Sequence, residues 1–149
     1  MQASIAQTGI IAERFEVEVV AGSGGMGTVY RARDLQTGQL VALKLLHPSA
    51  IGIPEVDRFV REANLLSELQ HPGIVSYIAH GLTDRGQPFL AMEWLEGEDL
   101  EQRLHGGALT STESLTLMSH IADALRLAHQ RGIVHRDLGE VEPVGNTCV

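Results

Sequence analysis

The residues best suited to chemistry in this chain are a run of glycines and one lysine. In Gly22-Ser23-Gly24-Gly25-Met26-Gly27-Thr28-Val29, glycines at 22, 24 and 27 remove side chains where a backbone would close over phosphate groups. Val41-Ala42-Leu43-Lys44 then brings a cation one strand further on. Taken alone, G-x-G-x-x-G is also what a tight glycine turn looks like. The flanks favour phosphate. Phe15-Glu16-Val17-Glu18-Val19 alternates apolar and acidic residues as a half-buried strand does, and Thr28-Val29-Tyr30 is β-branched and aromatic. The loop therefore joins two strands.

A dinucleotide-binding loop opens a helix and needs an acid about 20 residues on, a neighbourhood that here holds His47 and Pro48. A P-loop needs Gly-Lys-Ser/Thr, which does not occur. What remains is a glycine-rich hairpin lid with its lysine on the third strand. Leu40 to Leu46 is a nearly continuous apolar run in which Lys44 is the anomaly. A buried lysine is costly unless it is paired or meets an anion, although a lysine snorkelling off an edge strand fits the same pattern.

From Glu55 to Gln70, apolar residues at Val56, Phe59, Val60, Ala63, Leu66 and Leu69 follow helical steps. Pro54 suits the first turn, and His71-Pro72-Gly73 stops the helix. Glu62 lies at the edge of this stripe, where its carboxylate can face the sheet and pair with Lys44. A surface contact with Arg58 or Arg61 is the alternative.

Ile74 to Leu82 and Pro88 to Glu93 read as two strands around Thr83-Asp84-Arg85-Gly86. Trp94 to Leu100 is a polar, glycine-containing connector. Thr110-Ser111-Thr112-Glu113 is a capping box opening a helix with Leu115, Met118, Ile121, Ala122, Leu125 and Ala128 on its apolar face, closed by Gly132. Ile133-Val134-His135-Arg136-Asp137-Leu138 follows.

Composition narrows the alternatives. A chain of 149 residues with 44% hydrophobic and 20% charged residues can build a core. Its net charge of -8 argues against a nucleic-acid partner. Cys148, the single cysteine, has no disulfide partner within the chain, and the seven histidines lack metal-ligand spacing, so no metal site is expected. No apolar run approaches the ~18 residues of a membrane span. Residues 1–14 carry no secretory pattern, so they read as a loosely attached leader on a cytoplasmic protein.

Together the motifs resemble a eukaryotic-type protein kinase of the bacterial serine/threonine class. Gly-Ser-Gly-Gly-Met-Gly-Thr-Val-Tyr-Arg-Ala, Val-Ala-Leu-Lys, Arg-Glu-Ala, His-Pro-Gly-Ile-Val, Met-Glu-Trp-Leu-Glu-Gly and Ile-Val-His-Arg-Asp-Leu occur in the family's order over residues 15 to 138. The resemblance implies an α+β fold: a small lobe with a five-stranded antiparallel sheet and one major helix over residues 15–94, then a hinge and partial helical C-lobe over 95–138. It implies ATP and magnesium as cofactors, and a protein substrate or partner kinase. Ala21, Gly22, Ser23, Gly24, Gly25, Met26 and Gly27 would form the lid. Val29 and Ala42 would sandwich the adenine, with Met92 as gatekeeper and Glu93 to Leu95 as hinge. Lys44, braced by Glu62, would hold the phosphates, and Asp137 would be the catalytic base. Leu66, Tyr77 and His135 would belong to the spine linking the lobes.

The match ends inside the catalytic loop. Where the family has a lysine, a proline and a magnesium-binding asparagine, this sequence has Gly139, Glu140 and Glu142, and no Asp-Phe-Gly follows. Residues 139–149 match nothing in the family, as in a truncated or frame-shifted frame. The expectation is a chain that binds nucleotide and transfers no phosphate by itself. A non-catalytic module docking a partner kinase through the Val56–Leu69 helix, and a gene remnant, are the alternatives. The apolar face from Leu115 to Ala128 would lack its cover and seek a partner.

Overall fold

The structure is a computed structural model that describes residues 9–25, 27–47 and 52–133. Its strands are β1 (Ile10–Ile11), β2 (Phe15–Ser23), β3 (Gly27–Asp34), β4 (Leu40–Leu46), β5 (Tyr77–Leu82) and β6 (Pro88–Glu93). Its helices are α1 (Ile53–Ser67), α2 (Leu100–His105) and α3 (Ser111–Gln130). One antiparallel sheet runs in the order β1-β2-β3-β4-β6-β5. The expected five strands are present, and the leader supplies a sixth, because Ile10 and Ile11 pair with Glu16 and Phe15. Ile11 is buried.

The two faces of the sheet do different work. Val41, Leu43 and Leu45 point into a core with Phe15, Val17, Ala32, Phe89 and Ala91. The opposite face of β4 presents Ala42, Lys44 and Leu46. There Leu46, Leu90 and Met92 are covered by Phe59 and Ala63 of α1. Val60 remains 38% exposed, so the helix seats a narrower stripe than its sequence suggests.

α1 also closes earlier than the run to Gln70 implies. Ser67 Oγ donates to the Asn64 carbonyl, and Glu68 and Leu69 bond back in tight turns. Leu69 thereby leaves the helix and packs with Ile74 against Ala124 of α3. This contact also holds Ile74 out of the ladder, so β5 starts at Tyr77 and not at Ile74. The β5–β6 loop follows the expected chemistry, with Gly86 at φ 73° and Thr83 N–H donating to the Gln87 carbonyl.

The capping box at Thr110 and Glu113 is formed, and Gly132 follows α3 at φ 74°. The apolar face of α3 lacks cover at its N-terminal half, as expected, and the helix is seated through its C-terminal half. Ala124 and Ala128 are buried, whereas Leu115 is 71% and Met118 61% exposed. α2 begins at Leu100, where the stretch read as a connector ends, in residues to which no element was assigned. Asp99 caps it, and Gln102 completes the reciprocal bond to the Asp99 N–H.

A buried ion pair fixes the start of the sheet. Arg14 grips Asp34 with both nitrogens, at 3.0 and 2.7 Å, and its guanidinium stacks 4.9 Å above the Phe15 ring. Asp34 is 1% exposed. The Arg14 hydrogen bonds hold its carboxyl at about 2, below the ordinary 3.8, against the upward push of burial. The intervening turn is strained, since Ala12 and Glu13 both have positive φ.

Two outcomes are expected. Because the Asp34 pKa is depressed on folding, its contribution is complete above pH ~4 and is lost as pH falls towards ~2, about 1–2 kcal/mol in all. Asp34→Asn should cost about 2–3 kcal/mol at pH 7 in urea unfolding and flatten that acid limb. Separately, an apolar dye should bind the parent chain, and Leu115→Gln with Met118→Gln should remove most of that signal without loss of helix by circular dichroism. A parent chain that binds no dye would contradict this.

Candidate nucleotide-binding site

The site is built on β2, β3, β4 and β6. In an antiparallel ladder, directly opposed residues share a face. Gly22 opposes Val29, Val29 opposes Lys44, and Lys44 opposes Leu90. On the next rung of that face, Arg31 opposes Ala42 and Ala42 opposes Met92. The register thus gathers Gly22, Val29, Ala42, Lys44 and Met92 on one surface. The glycine hairpin stands at its edge, closed by Gly24 N–H donating to the Gly27 carbonyl at 2.9 Å, with Ser23 Oγ 3.4 Å from Thr28 Oγ1.

Gly27 is required for a reason the sequence did not disclose. A Cβ there would overlap the Leu45 carbonyl oxygen of β4. Its absence lets two backbones approach, and phosphate clearance is not needed to explain it. At Gly25, by contrast, a Cβ would meet nothing within 4 Å. β2 reaches the hairpin through two irregularities, in which Glu18 and Ala21 are each an extra residue relative to β3. They break the period-two pattern, which is why Val19 is exposed when alternation would turn it inward.

Lys44 is half-buried on this apolar face, and among the described residues no carboxylate lies within 4.0 Å of its ammonium. The expected Lys44–Glu62 couple is therefore not closed in this conformation. Glu62 is exposed on α1, one position from the buried Ala63. The helix is seated on the sheet by Phe59 and Ala63, and nothing electrostatic turns Glu62 inward.

Met92 is buried among Leu46, Phe59 and Ala63. Glu93 is tied to the loop before β5, with Ser76 N–H donating to its carboxylate at 2.7 Å and its own N–H donating to the Ser76 carbonyl at 2.9 Å. Leu95 packs against the α1 core. Of the spine residues, Leu66 and Tyr77 adjoin that same core. Met26, His135 and Asp137 lie outside the described residues.

An anion suits this surface. A cation without a counter-charge, an apolar platform of Val29 and Ala42, and a glycine hairpin beside them fit the phosphates and base of a nucleotide. A metal finds less support. Among the described residues, no three His, Cys, Asp or Glu groups converge as ligands.

The model of the protein kinase domain matches residues 15–140. The chain belongs to the protein kinase domain family. The kinase chain is 39% identical over 130 residues to the serine/threonine-protein kinase pkn3 of Myxococcus xanthus, covering 86% of this chain and 24% of that protein. It is 36% identical over 127 residues to PknJ of Mycobacterium tuberculosis, covering 83% and 21%. Among solved structures, the PknI kinase domain of Mycobacterium tuberculosis superposes with a TM-score of 0.76 at 32% identity, covering 91% of this chain and 55% of that one. The kinase chain thus spans about a quarter or less of these curated relatives, and carries part of a kinase domain.

The sequence reading did not single out Arg14–Asp34, or the Glu18 carboxylate that joins Arg31 and Arg33. The second had a signal: basic residues two apart on one strand, beside a strand carrying acids.

The two glycines separate packing from binding. Gly27→Ala should cost about 1–3 kcal/mol in thermal or urea unfolding, because backbone must yield. Gly25→Ala should stay within about 0.5 kcal/mol of the parent. Equal stability of the two variants would contradict the close approach to β4.

Proposed function

We propose that this chain is the nucleotide-binding part of a bacterial serine/threonine protein kinase, taking ATP between the glycine hairpin and Lys44. The observation that carries the reading is the unpaired, half-buried Lys44 on an apolar face beside that hairpin. In a site of reduced dielectric, an ammonium without a carboxylate attracts phosphate oxygens more strongly than one already neutralised. Val29 and Ala42 would flank the base, Met92 would limit its depth, and backbone of Glu93 to Leu95 would meet its edge. Ala21 to Gly27 would cover the phosphates, with Glu62 bracing Lys44 after α1 reorients.

Phosphoryl transfer to a protein hydroxyl is the family's reaction, with Asp137 as base and magnesium neutralising the phosphates. The residues present do not reproduce the family's metal-binding set. Gly139, Glu140 and Glu142 stand where the family carries its lysine, proline and asparagine. We therefore assign this polypeptide nucleotide binding without transfer. Its cellular setting is proposed to be cytoplasmic; among the described residues no helix is long and apolar enough to cross a membrane.

A second reading, a docking module for a partner kinase, draws on the shallow concave surface on the outer side of α1 lined by Asp57, Val60, Arg61 and Leu65. ATP affinity separates the two.

The parent chain should bind ATP in calorimetry, and Lys44→Met should weaken that binding at least about tenfold, the loss of a charge-assisted contact. With ATP, magnesium and a generic basic protein, the 149-residue chain should incorporate no phosphate. Equal ATP affinity of parent and Lys44→Met, or incorporation that Asp137→Asn abolishes, would overturn the assignment.

A further inference from the structure

Glu18 has a position and a set of contacts that nucleotide contact does not explain. Val17 opposes Ala32 and Val19 opposes Arg31, so Glu18 is the extra residue of a bulge in β2. Its carboxylate is forked: Oε2 accepts from Arg31 Nε at 3.0 Å, and Oε1 accepts from an Arg33 terminal nitrogen at 2.9 Å. Arg33 is further anchored on the Gly38 carbonyl at 3.2 Å. Arg31 and Arg33 lie two apart on β3 and share a face, the one that also carries Val29 and Lys44. Without a carboxylate between them, two like charges would crowd that edge of the sheet.

The bulge has a consequence for the hairpin. One inserted residue moves every following side chain to the other face. Before it, Val17 faces the core; after it, Val19 lies on the face of Arg31. The second irregularity, at Ala21, leaves Gly22 opposite Val29. The direction in which β2 delivers the glycines is therefore set by the two irregularities together, and the first is held where Glu18 is clamped, four residues before Gly22.

We propose that Glu18 is a positioning residue for nucleotide binding: by bridging Arg31 and Arg33 it holds the β2 bulge that aims the glycine hairpin over Lys44. The inference rests on the assignment of this surface to ATP. It predicts a selective defect. The hairpin serves the phosphates, whereas the base sits on Val29 and Ala42, so loosening the clamp should weaken ATP binding and spare adenosine.

The test is calorimetry on the 149-residue chain with ATP and with adenosine, alongside amide hydrogen exchange and thermal unfolding. Glu18→Gln should raise the ATP Kd about threefold to tenfold, leave the adenosine Kd within about twofold, and speed exchange at Gly22 to Thr28. Arg31→Gln and Arg33→Gln, each removing one arm, should give smaller defects of the same kind, and they decide the matter if Glu18→Gln fails to fold. Unchanged ATP affinity in a folded variant, or an equal loss for ATP and adenosine, overturns the positioning role. A parent chain that binds neither ligand overturns the nucleotide assignment and this role with it. ATP binding by the parent, lost in Lys44→Met and unaltered in Glu18→Gln, overturns this role alone.

Discussion

A single unneutralised ammonium governs the site. Lys44 lies on a strand paired on both sides, with Val29 opposite it on β3 and Leu90 opposite it on β6. It cannot leave that face without breaking the ladder, because a shift of register by one residue would turn Leu43 and Leu45 out of the core as well. Half-burial of a cation among apolar neighbours costs free energy that no described carboxylate offsets. An anionic ligand would supply the missing charge, and by linkage its binding would stabilise the folded sheet. Fold and affinity share one interaction.

The attachment of α1 shows why the lysine stands alone. Phe59 and Ala63 hold the helix through apolar contact, which decides the buried face and sets no charge opposite Lys44. Each residue turns the helix by about 100°, so Glu62 lies a third of a turn from Ala63 and can face solvent while Ala63 stays buried. The N-cap residue, Gly52, offers no side-chain hydrogen bond to fix the helix start. Bringing Glu62 inward would have to keep Phe59 and Ala63 buried, which limits α1 to a small rotation.

Local chemistry was legible in the sequence, and distant contact was not. The capping box at Thr110, the loop from Thr83 to Gly86 and the strand around Lys44 depend on neighbours within a few residues, so residue types alone located them. The Arg14–Asp34 pair joins positions 20 apart across a strand and a turn, and an arginine in an apparent leader gives no hint of its target. The end of α1 was misplaced for a related reason. Leu69 keeps helical spacing in the sequence, but it is drawn out of the helix by Ile74 and Ala124, which periodicity cannot see. The same contact decides which face of α3 is buried: small Ala124 fits near Gly73, where a Cβ would come within 3.3 Å of the Ala124 Cβ. Leu115 and Met118 stay exposed, as an apolar face without its cover should, while close approach selects small residues.

The glycine run makes the same point within the site. One letter recurs through Gly22, Gly24, Gly25 and Gly27, of which the motif asks for the first, second and fourth and leaves Gly25 free. In the structure their causes diverge. Gly27 is fixed by the Leu45 carbonyl, a demand of the sheet that would persist if no nucleotide ever bound. Gly25 meets no such demand within the protein. If glycine matters at Gly25, the reason must come from its backbone or from a ligand. A motif can therefore be half packing and half binding, and only the distance from each missing Cβ to its nearest neighbour divides the two.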